Sequence, residues 1–440
     1  MREITSRPLS AEQQLFLRAL RVHLNKDVSG TPAFPGAPVS PDEVSLSVIV
    51  SLGAEHKVLP MVYEGLHDMG LLSPSSPLLG DTEAAEAFRR LTYHTVIGQT
   101  ARTCAFLSLY NKLADSGLRP LVMKGIICRG MYPKPDHRPS ADEDLLVPPS
   151  DFVRCEELFL ERGARPLHGA DTNVTKSDAI REIPQERGYT FPDGLYIELH
   201  TALFSGDDGI NRADELRLFP TLFDTPVTVS VENTALLTLA PHDHLLYLLL
   251  HAQKHFVHAG FGIRQVSDIG LFLSVHGAEV DTDALYSACE SVRALRFAAA
   301  VFSIARNTLG IPFALSQKWE DILSDVDPSP LLGDILGGGI YGGTDGSRLH
   351  STNLTLDAAK HGKKRGTAIF SSLFPDAKSL SGRYPYLKDR PYLLPAAWVQ
   401  RIGAYAMETR GKGKDNAAAE SLRIARERLR LLEYYGMIGK

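Results

Sequence analysis

Cysteine is scarce in this chain. Cys104, Cys128, Cys155 and Cys289 are the only four among 440 residues, and no two stand in a CxxC pair. A zinc ribbon and a dense disulfide scaffold are thereby excluded, and reduced thiols are expected. Long apolar runs are missing too. No segment reaches the roughly 18–20 consecutive apolar residues that cross a bilayer, so no membrane partner is expected. The opening MREITSRPLSAEQQ lacks the apolar core of a secretory signal, which makes the cytoplasm the expected compartment. Strong positive charge is absent. The formal net charge of −5 argues against a surface given over to nucleic acid, while leaving room for a local basic cleft. The Gly-rich stretch 337–346, inside ILGGGIYGGTDGSRLH, does not follow the GxxxxGK(S/T) order. A P-loop is excluded there and a loop is expected, with a lid as its functional form. Internal repeats and collagen, coiled-coil or prion-like bias are also absent.

What is present is the composition of a soluble globular protein, 44% hydrophobic and 22% charged, in a chain too long for one ordinary core. Helical periodicity is expected over Ser10–Leu24, from Asp42 to Leu66 with a break at Pro60, and from Glu83 to Ser116. His56 and Lys57 read as a solvated helix end, with a cleft-facing role as the alternative. From Leu236 to Leu309 the pattern is almost wholly helical, with stops at Gly277 and Gly310. The tail 395–435 reads as helix interrupted by the basic loop Arg410–Lys414. The expected division is a helical region over 1–80, a sheet-bearing core over 81–205, a helical domain over 206–330, and the Gly-rich loop with a C-terminal helical region over 331–440.

The stretch Leu121–Val147, LVMKGIICRGMYPKPDHRPSADEDLLV, carries the chemistry. The apolar run Leu121–Met123 reads as a strand that stops at Lys124-Gly125. Asp142-Glu143-Asp144 leads into a second strand at Leu145-Leu146-Val147. Alternate residues of a strand share a face, so Asp142 and Asp144 are expected to project together. Paired carboxylates repel each other unless a cation lies between them, and a hard divalent ion such as Mg²⁺ takes oxygen ligands. Downstream, Tyr189-Thr190-Phe191, the turn Pro192-Asp193-Gly194 and LYIELHTALF read as a hairpin. Its second strand puts Leu195, Ile197 and Leu199 on one face and Tyr196, Glu198 and His200 on the other. Glu198 is the candidate third acid. Three carboxylates on neighbouring strands suit a metal-assisted in-line displacement on a triphosphate.

The ordered set of Lys124-Gly125, Arg138-Pro139-x-x-Asp142-x-Asp144-Leu-Leu-Val and Ile197-Glu198-Leu199-His200 resembles the uncharacterised nucleotidyltransferase family of the DNA polymerase β-like superfamily. PHDHLLYLLLHAQKH, RQVSDIGLFL, YPYLKDRPYLLPAAWVQR and RLRLLEYYG are similar as well, so the resemblance runs from about His56 onward. It implies an α+β fold, with a small mixed β-sheet nucleotidyltransferase core flanked by largely helical N- and C-terminal regions. It further implies Mg²⁺ or Mn²⁺, an NTP donor, and a nucleoside monophosphate moved to a hydroxyl or phosphate of an unknown acceptor. That acceptor is a small molecule, peptide or protein, with nucleic acid not favoured. Asp142, Asp144 and Glu198 match the catalytic, metal-binding acids. Lys124-Gly125 stands where most of the superfamily has Gly-Ser or Gly-Gly, and Glu143 stands where an apolar residue is usual.

Several residues keep alternatives at this point. Lys124 and Arg138 are read as phosphate-binding with Gly125, but Lys124 also suits a plain strand end. Arg138 equally suits an ion pair with Asp136 or Asp142. His200 reads as a neighbour of the ligands rather than a ligand, since Mg²⁺ prefers oxygen. His251 and His255 share a helix face with HExxH-like spacing, but Ala252 replaces the Glu a zinc protease needs. Arg264 and Asp268 read first as an i,i+4 helix salt bridge, and second as cleft residues with Arg264 toward the nucleotide. A DxD glycosyltransferase and a non-catalytic nucleotide-binding or interaction protein of the same fold are the competing functions.

Overall fold

In the computed structural model the described residues are 8–26, 34, 39–73, 76–80, 82–167, 183–204, 210–258, 260–338, several positions between 384 and 400, and 427–438. The Gly-rich stretch from 339 and the basic loop at 410–414 lie outside them.

The chain opens on helices α1 (Ala11–Leu24), α2 (Leu46–Glu55), α3 (Leu59–Asp68) and α4 (Thr82–Asp115). Ser10 starts α1 through a capping box with Gln13, the two reciprocal hydrogen bonds measuring 3.1 and 3.2 Å. The core follows as β1 (Leu121–Met123), α5 (Gly125–Arg129), β2 (Glu143–Leu146), α6 (Phe152–Glu161), β3 (Arg165–Pro166), β4 (Glu186–Thr190) and β5 (Tyr196–His200). Then come α7 (Arg212–Leu218), the hairpin β6 (Val227–Val231) and β7 (Thr234–Thr238), and helices α8 (Pro241–His258), α9 (Ile263–His276), α10 (Thr282–Ser291), α11 (Leu295–Ser303), α12 (Gln317–Asp325) and α13 (Ser329–Gly338). Residues 427–434 are helical as well.

The strands form one seven-stranded mixed sheet in the order β3-β4-β5-β2-β1-β7-β6. β1 and β2 are antiparallel, while β2–β5 and β1–β7 are parallel. This is the small mixed β-sheet of an α+β protein, flanked on the N- and C-terminal sides by helices. The β6–β7 hairpin corrects the expectation of helix from Leu236 onward: helix begins at Pro241. Glu232 and Asn233 turn it with φ of 45° and 66°. Two consecutive positive φ values mark a type I′ turn, but Glu in the first position hides the usual Asn-Gly signal.

The two faces of the sheet serve different cores. Val122, Leu145, Val147, Ile197 and Leu199 pack with Phe106, Tyr110 and Leu113 of α4 and with Phe152 and Phe159 of α6. Leu121, Met123 and Leu146 point the other way, into a cluster shared by α1–α3 and α8–α13. The N-terminal helices and the later ones therefore build one apolar body. Arg21 of α1 ties them, donating from Nη1 to the carbonyls of Asn307 and Thr308 at 2.9 and 3.0 Å. No helix among the described residues is long and apolar enough to cross a membrane.

His56 corrects its own expectation. It is fully buried between α2 and α9, where its Nδ1 accepts the Ile263 N–H at 3.4 Å, while Lys57 stays exposed. Burial pushes its pKa down to about 4. The folded protein therefore holds it neutral, and its contribution to stability is whole above about pH 6.5, the unfolded value. That contribution drains away as pH falls from there toward 4, by at most about 1.4 kcal/mol per pH unit. His23, also pushed down to about 4 by burial and then by His137, adds to the same slope. Urea midpoints measured between pH 7 and pH 4 are expected to fall, and less steeply in His56→Asn, whose amide oxygen can replace the ring acceptor. Identical slopes in the two proteins would assign acid sensitivity elsewhere.

Candidate active site

The site is built around an abrupt strand-to-helix elbow. Lys124, between β1 and α5, has φ 48° and ψ −124°. For a residue with a side chain this backbone conformation costs on the order of 1–3 kcal/mol, so something must hold it. A relay across the sheet does. The Lys124 N–H donates to His244 Nε2 at 3.2 Å, which leaves the ring proton on Nδ1. Nδ1 lies 3.3 Å from Thr238 Oγ1, and the Thr238 hydroxyl donates to the Val122 carbonyl at 2.6 Å. His244 is neutral in this role, its pKa driven down to about 3, mainly by burial. Gly125 completes the elbow with φ 27°. A Cβ there would sit 1.9 Å from Glu143 Oε2, the same oxygen that accepts the Ile126 N–H at 2.8 Å. Glu143 thus caps α5 from beneath the sheet, and its other oxygen pairs with buried Arg129.

Parallel pairing of β2 with β5 sets Asp144 directly opposite Glu198. Asp144, Glu198 and His200 each present a ligand atom within 4.8 Å of the others, a donor set for a divalent cation. Asp144 Oδ1 is 2.9 Å from Lys124 Nζ and 3.2 Å from His200 Nε2. His200 Nε2 also lies 3.7 Å from Glu198 Oε2, and the Tyr196 hydroxyl donates to Glu198 Oε1 at 3.3 Å. Burial works against the Asp144 charge, but Lys124 and His200 outweigh it and hold the carboxyl well below the usual range. His200 is raised to about 9, because Asp144 and Glu198 overcome its burial. Asp142 lies one residue ahead of β2 rather than within it, yet it lines the same cleft. Its pKa is raised by burial first and by Asp144 second.

The opposite wall comes from α8 and α9. The cleft is bounded there by His251, His255, Arg264 and Asp268, and on the sheet side by Lys124, Gly125, Arg138, Asp142 and Asp144. His251 Nε2 faces Lys124 Nζ at 3.0 Å, and its ring meets His255 edge-on at 4.4 Å. Burial and the Lys124 charge hold His251 neutral. Asp268 does not pair with Arg264. Its Oδ2 accepts Arg138 Nη2 at 2.7 Å, and its Oδ1 accepts Arg138 Nε at 2.9 Å and the Tyr132 hydroxyl at 2.7 Å. The helix salt bridge expected between Arg264 and Asp268 is replaced by this bidentate pair across elements. Arg138 pairs with neither Asp136 nor Asp142, and its Nη1 is engaged by Ser140 Oγ at 2.6 Å. Arg264 is left with a donation from Nη1 to the Pro139 carbonyl, a buried Nε with no partner, and no carboxylate at ion-pair distance among the described residues. Burial and the nearby Arg138 lower its pKa.

A family profile described as uncharacterised nucleotidyltransferase matches residues 42–310, well over half of the chain. The chain belongs to this uncharacterised nucleotidyltransferase family. The family is related to the DNA polymerase β-like superfamily, and the matched span holds the elbow, both acid strands, α8 and α9. No curated protein and no solved structure matches the chain.

Nucleotidyltransferase chemistry implies a divalent metal, and the residues present fit one. Two carboxylates and an imidazole converge on one point, and Asp142 lines the same cleft as Asp144. Oxygen donors suit Mg²⁺ and Mn²⁺, and imidazole suits Mn²⁺ better than Mg²⁺. Among the described residues, Asp144, Glu198 and His200 are the one group of three or more such residues, and His251 and His255 belong to none. Sequence reading missed His244, Thr238 and Arg129 as supports of the elbow. The signal for His244 was in the quoted PHDHLLYLLLHAQKH, but nothing along one chain says that a helix His meets a strand end 120 residues away.

Proposed function

We propose that this protein is a Mg²⁺- or Mn²⁺-dependent nucleotidyltransferase that moves a nucleoside monophosphate from an NTP to a hydroxyl or phosphate of an acceptor. The observation that carries this reading is the β2–β5 register, which sets Asp144, a residue lining a cleft with cations on its walls, beside Glu198. Asp142, Asp144 and Glu198 would hold the metal, with His200 orienting Asp144 or joining the donor set. The bound ion would supply charge neutralisation for the triphosphate and a lower pKa for an attacking hydroxyl. Glu198, with one oxygen on Tyr196 and its side chain partly exposed, would accept the acceptor's proton. The elbow turns Lys124 and the Gly125 backbone toward the phosphates. Arg264, lacking a carboxylate of its own, supplies a second cation for them. Arg138 acts through Asp268, fixing α9 and hence Arg264 against the sheet.

A nucleotide-sugar transferase with the same DxD is less well supported. The sheet is mixed, with two parallel pairings, and lacks the doubly wound parallel layer that a sugar-nucleotide domain uses. Pyrophosphate release should therefore appear with an NTP plus Mg²⁺ or Mn²⁺ in a screen of acceptors. Turnover of UDP-sugars without pyrophosphate would overturn the assignment. Arg264→Met is expected to raise KM for the NTP about tenfold to a hundredfold, the effect of one lost charged hydrogen bond. An unchanged KM would remove Arg264 from the phosphate site.

A further inference from the structure

We propose that Lys124 is a resident stand-in for the metal. Its ammonium neutralises Asp144 until a divalent cation and the donor's phosphates arrive together, so that metal and triphosphate bind cooperatively. The inference rests on the nucleotidyltransferase reading and adds to it a reason for placing a lysine at the elbow.

Three observations carry it. Asp144 Oδ1 already receives Lys124 Nζ at 2.9 Å and His200 Nε2 at 3.2 Å. An oxygen with both neighbours in place has no free direction for a metal, and an ammonium this close repels a divalent ion. A metal at the other oxygen, Oδ2, would meet the same repulsion, so the ammonium is the neighbour that must move, and it has somewhere to go. Its Nζ is also 3.0 Å from His251 Nε2 and 5.8 Å from the centre of the Tyr247 ring, both on α8 across the cleft. A turn of its flexible four-carbon stem moves the charge off Asp144 and toward the space a triphosphate would fill, without losing that wall.

The third observation is the backbone. With φ 48° and ψ −124°, the elbow would accept glycine at less strain than lysine. The relay through His244 and Thr238 nevertheless holds a lysine there. Its backbone is fixed, so the ammonium pivots about a rigid base. A released ammonium needs an anion, and the incoming phosphates provide it. Metal binding therefore removes the partner of Lys124, and phosphate binding replaces it. Each ligand raises the affinity for the other, which is a coupling between two sites in the strict sense.

The test is Mn²⁺ binding to the full-length protein, read from the electron paramagnetic resonance signal of free Mn²⁺, with and without α,β-methylene-ATP. Wild type, Lys124→Met, Lys124→Gly and Asp144→Asn are compared. Glycine suits the positive φ, so Lys124→Gly guards against a variant that merely misfolds. Removing the ammonium is expected to tighten Mn²⁺ binding in the absence of nucleotide by about tenfold or more, and to shrink the further tightening that the analogue produces. Structural damage alone would weaken metal binding, not strengthen it. If both Lys124 variants bind Mn²⁺ no tighter than wild type while Asp144→Asn abolishes binding, the stand-in role is wrong and the metal site remains. If Asp144→Asn binds Mn²⁺ as wild type does, the nucleotidyltransferase reading of the site falls, and this inference with it.

Discussion

Asp142→Asn is expected to cut metal-dependent pyrophosphate release by about 10³-fold while leaving the metal-free fold as stable as before or more so. The two halves of this expectation have one cause. Asp142 sits in the cleft where burial and the neighbouring Asp144 both disfavour its charge, and no cationic side chain forms an ion pair with it among the described residues. An amide of the same shape relieves that repulsion. On the proposed function it also removes an anionic oxygen that would help hold the metal. A carboxylate that destabilises the resting protein is explained if a cation is its working partner. Asp144→Asn should lose activity equally and behave oppositely in stability. Its loss strands the Lys124 ammonium, and breaking a pair buried this well costs about 3–5 kcal/mol. Melting temperatures in chelator, taken beside pyrophosphate assays, separate the two. A marked drop in stability for Asp142→Asn would make that residue structural, and full activity would remove it from catalysis.

The acids were legible because strand alternation has a period of two, and because ELH and DxDLLV each mark a strand by their own apolar residues. That Leu195, Ile197 and Leu199 share one face and Tyr196, Glu198 and His200 the other follows from that alternation, and the packing agrees, with Ile197 and Leu199 in the α4–α6 core. That the two acid strands are neighbours was expected and holds, but their direction and register were not legible. Nothing along the chain says that β2 lies parallel to β5 with Asp144 opposite Glu198, since register depends on which face each strand buries and on its neighbours. The same limit hid the elbow's supports. Arg138 offered Asp136 and Asp142 nearby in sequence, and it chose Asp268, 130 residues on. Arg264 and Asp268 had the spacing of a helix pair, but Asp268 was claimed from outside the helix. Local spacing loses to tertiary partners where burial makes a bidentate, fully satisfied pair the better arrangement. The β6–β7 hairpin escaped for a local reason, a turn made by Glu232-Asn233 without glycine.

Glu143 is the middle residue of Asp142-Glu143-Asp144, and its replacement is expected to have the largest effect on stability. It points away from the two acids, to the α4 side of the sheet, where it is 3% exposed. One oxygen caps α5 through the Ile126 N–H, and the other meets Arg129, which also donates to Thr103 of α4. Glu143→Leu leaves the Arg129 charge buried without its partner, a loss of about 3–5 kcal/mol. The freed helix end adds about 1 kcal/mol. Arg129→Met alone should cost a similar amount by stranding the carboxylate. The double variant Glu143→Leu with Arg129→Met should recover much of the loss, because an apolar pair of similar volume needs no compensating charge. Urea unfolding of the single and double variants gives the coupling directly. Additive losses would mean that the two side chains act independently, and that the departure of Glu143 from an apolar strand residue has some other cause. Activity supplies the second readout. Because the Glu143 cap and the absence of a Cβ at Gly125 together shape the start of α5, the double variant is expected to fold well and still turn over more slowly, with Lys124 less firmly aimed. Recovery of stability without recovery of rate would place Glu143 beneath the elbow as its positioning residue.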